Sequence, residues 1–280
     1  TREEHRTKAM GILGVSIGFS FTLALIIGPL LNRWIGVPGL FWFATLLALS
    51  ALALLHLVVP QPLHSHLHRE AEPVSSQFKR VLADTQLLRL DFGVLVVHLL
   101  ITSLFVVLPI SLATQIDPNH HWLVYLPVLI AAFIATVPSI IIAEKYRHLK
   151  FMFVSAIGLL GLSQFGLIYL HNSLTGVVVM LFFFFTAVSI LEASLPSLVS
   201  KLAPSDGKGT AMGLYSTGQF LGLFLGGVSG GWLYHYYSIE IVFLFGTILT
   251  VVWFIVAVTM QNPRYLSSEL LNLGDIDKTN

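Results

Sequence analysis

Ala9-Met10-Gly11 returns as Ala211-Met212-Gly213, inside a segment, 6–47, that resembles 208–249 at an offset of 202 positions. The same offset carries Gly28 to Gly230 and Leu31 to Leu233. It also carries Phe41, Phe43, Thr45 and Leu47 to Phe243, Phe245, Thr247 and Leu249. Apolar residues coincide easily, so the shared Gly, Met and Thr positions carry the weight. A repeat unit this long holds several helices, which points to a membrane protein built in two halves. Most of the first repeat unit is expected to lie upstream of residue 1.

Composition demands a lipid solvent. The chain is 55% hydrophobic and 10% charged, with mean hydropathy +0.83. A soluble domain carries roughly 25% charged residues. There is no cysteine, so disulfide and thiol chemistry drop out.

Eight apolar stretches are long enough to cross a bilayer: 9–31, 39–59, 90–113, 121–143, 151–171, 174–199, 209–233 and 240–261. None shows period-2 alternation, and lipid offers backbone groups no partner, so each is expected to be a helix. Of the fifteen Lys and Arg, all but Arg33 fall in alternate loops and at the two ends of the chain. That sorting predicts cytoplasmic termini and a cytoplasmic 60–89 loop. It also supports the span count, because one missed helix would scramble it. Trp34, Trp122, Tyr234, Tyr236 and Tyr237 gather at the opposite boundary, as an aromatic belt does. Pro60, Pro62, Pro73 and Ser75-Ser76 mark 60–89 as a linker, with a short amphipathic surface helix expected within Gln77–Leu90. Residues 262–280 read as a polar tail.

Spans one and two match spans seven and eight, so the offset steps over six helices. The chain then holds the last two helices of one six-helix unit (1–59) and a complete second unit (90–261). This all-α integral membrane architecture resembles that of the major facilitator superfamily, and the fold is expected to be incomplete here, at about eight transmembrane helices. Local stretches carry the same resemblance. Gly14, Gly18 and Gly28-Pro29 resemble the glycine-rich antiporter signature of that superfamily's fifth helix, although Asn32-Arg33 replaces the closing glycine pair. Ala143-Glu144-Lys145-Tyr146-Arg147 resembles its acidic–basic–aromatic loop, with Ile140 where the leading glycine usually stands. Leu191-Glu192-Ala193-Ser194-Leu195-Pro196-Ser197-Leu198, continuing to Gly209-Thr210-Ala211-Met212-Gly213, is similar to the superfamily's bacterial drug/proton antiporter group.

The polar residues inside the spans are the candidate site. Glu192 lies about two turns inside span six, where a carboxylate costs a few kcal/mol unless protonated, paired or facing water. It reads as a proton-coupling or cation-binding acid, or else as a structural hydrogen-bond partner. His98 and Asp91 are seven residues apart in span three and share a face, with Thr102 on the same stripe. His98 suits a proton relay; Asp91, a turn from the boundary, suits a solvated end group. Tyr215 and Gln219 are helical neighbours in span seven and candidate cavity liners for an aromatic or cationic compound. The series Gly218, Gly222, Gly226 and Gly230 has the four-residue spacing that lets helices approach closely. The resemblance implies that Glu144, Lys145 and Arg147 form a conformational latch reaching the Arg6–Met10 region. Three charges that only set orientation are the plainer reading.

His64, His66 and His68 alternate in the linker without a second ligand pair, so no metal site is expected. No catalytic constellation and no phosphate loop occur, so an enzyme is not expected; nor is a nucleic-acid partner, since the basic residues are sorted by loop. The resemblance implies a proton-coupled secondary transporter in the bacterial inner membrane. It would expel small hydrophobic or cationic compounds by antiport, with the proton gradient in place of a cofactor, and act as a monomer at full length. The residues alone leave open a facilitator-fold protein that binds or senses a ligand, and an uptake symporter.

Overall fold

Asp84 decides where the central helix begins. A computed structural model describes residues 3–58, 75–145, 149–204 and 207–260. In it Asp84 adopts an extended conformation, and its Oδ1 accepts hydrogen bonds from the amides of Gln86 at 2.8 Å and Leu87 at 3.3 Å. This cap satisfies two of the orphan donors of a helix start. Helix α3 therefore runs Thr85–Ala113, beginning five residues before the apolar stretch at 90. The preceding surface helix is correspondingly shorter than its expected range: α2 spans Ser75–Ala83.

The first two spans differ from expectation in their junction. Instead of a loop at 32–38, α1 runs Glu3–Leu57, broken only at Gly36. Gly36 has φ 67° and ψ 177°, a region essentially closed to residues with a Cβ. One glycine makes the turn, and Pro38 sits two residues on, at the start of the second arm, where its missing N–H costs nothing. Among the described residues α1 packs against α4, and residues such as Trp34 and Trp42 remain largely exposed.

The remaining helices are α4 (Trp122–Lys145), α5 (Leu149–Leu170), α6 (Leu174–Leu202), α7 (Lys208–Tyr236) and α8 (Ile239–Val258). Six helical segments among the described residues are long and apolar enough to cross a membrane. Helix α7 has the length, but its glycines, hydroxyls and Gln219 dilute its hydropathy. Pro109, Pro127, Pro138 and Pro196 lie inside helices, as membrane bundles tolerate. Phe151, Phe220, Phe224 and Ile248 stand exposed on the outside, where only lipid or another apolar surface would suit them.

Pairwise contacts set the directions. Down α3 and α8, Arg89 Nη1 donates to Thr259 O at 2.8 Å, Gly93 lies under the Trp253 ring, and Leu100 meets Gly246. The first number rises as the second falls, so the two helices are antiparallel. Gly158, Gly161 and His171 of the α5 strip meet Phe254, Thr250 and Glu240 of α8 in the same sense. Helix α7 runs parallel to α3: Gly218, Gly222, Gly226 and Gly230 face Asp91, Leu95, Leu99 and Ser103. Helices α3, α5 and α7 thus start at one end, here called the basic end, and finish at the other, the far end.

The α3–α7 seam is a close backbone contact. A Cβ at Gly222 would run into Leu95 O, and one at Gly226 into Leu99 O. Backbone meets backbone there, allowing Cα–H···O contacts where lipid supplies no hydrophobic drive between helices. Behind the seam, Leu90, Val94, Val97, Leu100, Leu104 and Leu108 of α3 fill the interior with Phe153, Phe184, Phe243 and Trp253. Phe153 and Trp253 meet edge to face at 6.0 Å.

Candidate functional site

Helix α3 buries His98 at the level where α6 brings Glu192 and α7 brings Gln219. The glycine seam is what admits Gln219, because a Cβ at Gly222 would also touch the His98 Cβ at 3.1 Å. His98 Nδ1 lies 3.0 Å from Val94 O. A carbonyl only accepts, so Nδ1 carries a proton and donates. That leaves Nε2, which has two neighbours: the Gln219 Nε2 amide at 2.8 Å and Glu192 Oε1 at 3.5 Å. Toward a neutral imidazole the amide donates and Nε2 accepts. Glu192 Oε1 is then buried without a hydrogen-bond partner, although the Glu192 side chain as a whole is 38% exposed.

One oxygen thus faces inward at the imidazole while the side chain as a whole stays partly exposed. A buried oxygen without a partner carries a penalty of about 1–3 kcal/mol. His98 Nε2 thus stands between an amide of α7 and a carboxyl oxygen of α6.

Tyr215 is buried on α7 one turn toward the basic end from Gln219, within electrostatic range of both Glu192 and Asp91. Asp91 is half-buried on α3, two turns from His98, with its carbonyl against Gly218. Thr102 Oγ1 donates to His98 O at 3.0 Å. The structure thus gathers Glu192, His98, Gln219, Tyr215 and Asp91 along one strip of the α3–α6–α7 surface.

Other candidates stand apart. Gly222, Gly226 and Gly230 make the α3–α7 seam, whereas a Cβ on Gly28 would meet nothing within 4 Å. The surroundings of Gly14, Gly18 and Pro29, and the side chains of Glu144 and Lys145, lie outside the described residues, as do Arg147 and the His64–His68 run. No group of His, Asp and Glu fit to hold a metal occurs among the described residues.

A second polar cluster, at the far end, escaped the sequence reading. His171 Nε2 lies 3.1 Å from Glu240 Oε1, and the His171 carbonyl accepts from Ser111 Oγ at 2.7 Å and Gln115 Nε2 at 2.9 Å. It ties α3, α5 and α8 together just past the end of α5. These residues sit at span boundaries, where ionisable groups are ordinary, so no local signal marks them.

A bundle of long apolar helices that brings His98, Glu192 and Gln219 together at one level has the form of an integral membrane protein. A family model, Major Facilitator Superfamily, matches residues 1–117 and 90–271, and the chain belongs to that family, whose members are transporters and not enzymes. It is similar to the inner membrane transport protein YajR of Escherichia coli (strain K12), with 44% identity over 269 residues, covering 96% of this chain and 59% of the relative. An uncharacterized transporter of Buchnera aphidicola subsp. Baizongia pistaciae (strain Bp) is 29% identical over 265 residues, covering 91% of this chain and 66% of the relative. The chain thus spans less than two thirds of the length of either relative.

Proposed function

We propose that this chain carries the proton-handling bundle of a secondary transporter that exports small hydrophobic or cationic compounds by proton antiport across a bacterial inner membrane. The observation that carries the reading is the His98 Nε2 atom, poised between the Gln219 amide and the partnerless Glu192 Oε1. A proton arriving at this pair exchanges an α3–α7 bond for an α3–α6 bond. A cationic substrate reaching the exposed part of Glu192 competes for the same carboxylate. Proton and substrate then exclude each other, which is the requirement for antiport, and the helices that must move are those the switch connects.

The test places this sequence in a twelve-helix chain in inside-out vesicles with an imposed pH gradient. Adding a lipophilic cation such as ethidium should dissipate the gradient in step with its accumulation. Accumulation that proceeds without proton movement would overturn the reading.

The basic end is proposed to face the cytoplasm, on the sorting of Lys and Arg. Because the chain has no cysteine, single cysteines report cleanly. Asn119→Cys, in the exposed far-end turn, should react with an impermeant maleimide added outside intact cells. Lys201→Cys should react only after permeabilisation. The reverse labelling pattern would invert the orientation.

A further inference from the structure

His171 repeats half of the His98 geometry and departs from it at one atom. Each ring turns Nδ1 back onto its own helix. His171 Nδ1 lies 3.1 Å from Leu167 O and 3.2 Å from Ile168 O, as His98 Nδ1 lies 3.0 Å from Val94 O. A carbonyl only accepts, so Nδ1 donates in both rings. The other nitrogen then decides the charge. At His98 the Gln219 amide stands 2.8 Å from Nε2 and brings a proton of its own. At His171 the atom facing Nε2 is Oε1 of Glu240, at 3.1 Å. A carboxylate only accepts, so this contact needs a proton between the two atoms.

The surroundings place that proton on the ring. Imidazole is the stronger base of the two in water, and the Glu240 side chain is 44% exposed, so its charge stays hydrated. The other groups around the buried ring are neutral. Phe243 of α8 lies 6.2 Å away between ring centroids, and Ser111 and Gln115 of α3 donate to the His171 carbonyl. Asn172 and Ser173, in the turn into α6, carry no charge either. Glu240 supplies the counter-charge, and its exposed side opens the pair to the far-end solution. Further down the same strip, α5 and α8 meet through small, apolar or uncharged groups: Gln164 on Gly246, Gly161 on Thr250 and Gly158 on Phe254.

We propose that His171 and Glu240 form a proton-binding site at the far end, and that the proton they hold fastens α5 to α8. The site is separate from His98 and does not depend on the reading of that residue. The proton binds the Nε2 lone pair and no bond breaks. When it leaves, a lone pair faces a carboxylate, neither atom has a donor, and the two helix ends lose their polar tie.

Nitrogen-15 NMR of ring-labelled histidine in the purified protein reads the protonation directly. His171→Gln identifies the signal by its loss. In mildly acidic buffer both ring nitrogens of His171 should carry a proton. In Glu240→Gln the amide can donate to Nε2, as Gln219 does at His98, so in the same buffer the ring should keep only the proton on Nδ1. Spin labels at Tyr169→Cys on α5 and Leu244→Cys on α8, both exposed positions, report the separation of the helix ends. Without further substitution the distance should be single and narrow while the ring holds two protons, and broaden as alkaline buffer removes one. With Glu240→Gln added, the distance should not respond to pH.

A singly protonated His171 in the wild type in mildly acidic buffer would overturn the site, and that measurement needs no substitution at Glu240. Two ring protons retained in Glu240→Gln would overturn Glu240 as their holder. A distance that stays narrow after the proton has left would overturn the fastening.

Discussion

Glu192→Gln should lower substrate-linked proton movement at least about tenfold, equivalent to about 1.4 kcal/mol of proton-linked free energy, while leaving expression and thermal stability close to wild type. The substitution preserves the shape of the side chain beside His98. What it removes is the charge change. With no carboxylate at 3.5 Å, a proton on His98 Nε2 finds no anion, so the exchange of the α7 bond for the α6 bond loses its driving force. His98→Gln should give a smaller loss: Glu192 still binds a proton, but its titration no longer reaches Gln219. The measurement is proton flux per substrate transported in vesicles across a pH series. Wild-type coupling in Glu192→Gln would sink the assignment of Glu192.

Opposite signs on one helix are expected from α7. Gly226→Ala places a methyl against Leu99 O, and Gly222→Ala does so against Leu95 O, so the helices must separate. Such overpacking costs about 1–3 kcal/mol, and a backbone carbonyl cannot step aside as a side chain can. Gly231→Ala meets nothing within 4 Å and gains the better helix propensity of alanine, about 0.5–1 kcal/mol. Thermal unfolding in detergent should therefore rank Gly231→Ala at or above wild type and Gly222→Ala and Gly226→Ala below it. Gly222→Ala should also impair coupling, because Gly222 lies against His98 and its displacement opens the Gln219 contact. Equal stability across all three variants would refute the backbone-contact account of the seam.

Much of the site was legible residue by residue. Glu192 and His98 stand out because ionisable groups inside an apolar span are expensive, and that cost is local to each span. Asp91 and Thr102 follow from the face they share with His98. Gln219 and Tyr215 are visible as polar interruptions of span seven. Their convergence is not legible, because nothing in the α3 segment states which residue of α6 stands opposite. The pairing of 98 with 192 and of 105 with 185 depends on the rotation and axial position of two helices, set by the packing of α3 against α7 and the core behind it. The ring contacts of Phe105 with Tyr125 and Phe185 are hidden for the same reason: all three read as ordinary apolar positions until three helices bring them together.

Helix junctions show a similar division. Span centres are averages over about twenty residues and are robust. Their edges turn on single residues: Asp84 moves the start of α3 to Thr85, and Gly36 replaces an expected loop by a one-residue break.

The sequence by itself determined that this chain is a helical membrane protein, where its long apolar stretches lie and how its basic residues are distributed between them. Those properties are sums of hydropathy and charge along contiguous stretches, and no partner is needed to compute them. Only the tertiary structure decided that His98 has two alternative partners and that Glu192 offers it a buried and unpaired oxygen. Those properties belong to distances between helices, set by which small residues allow close approach.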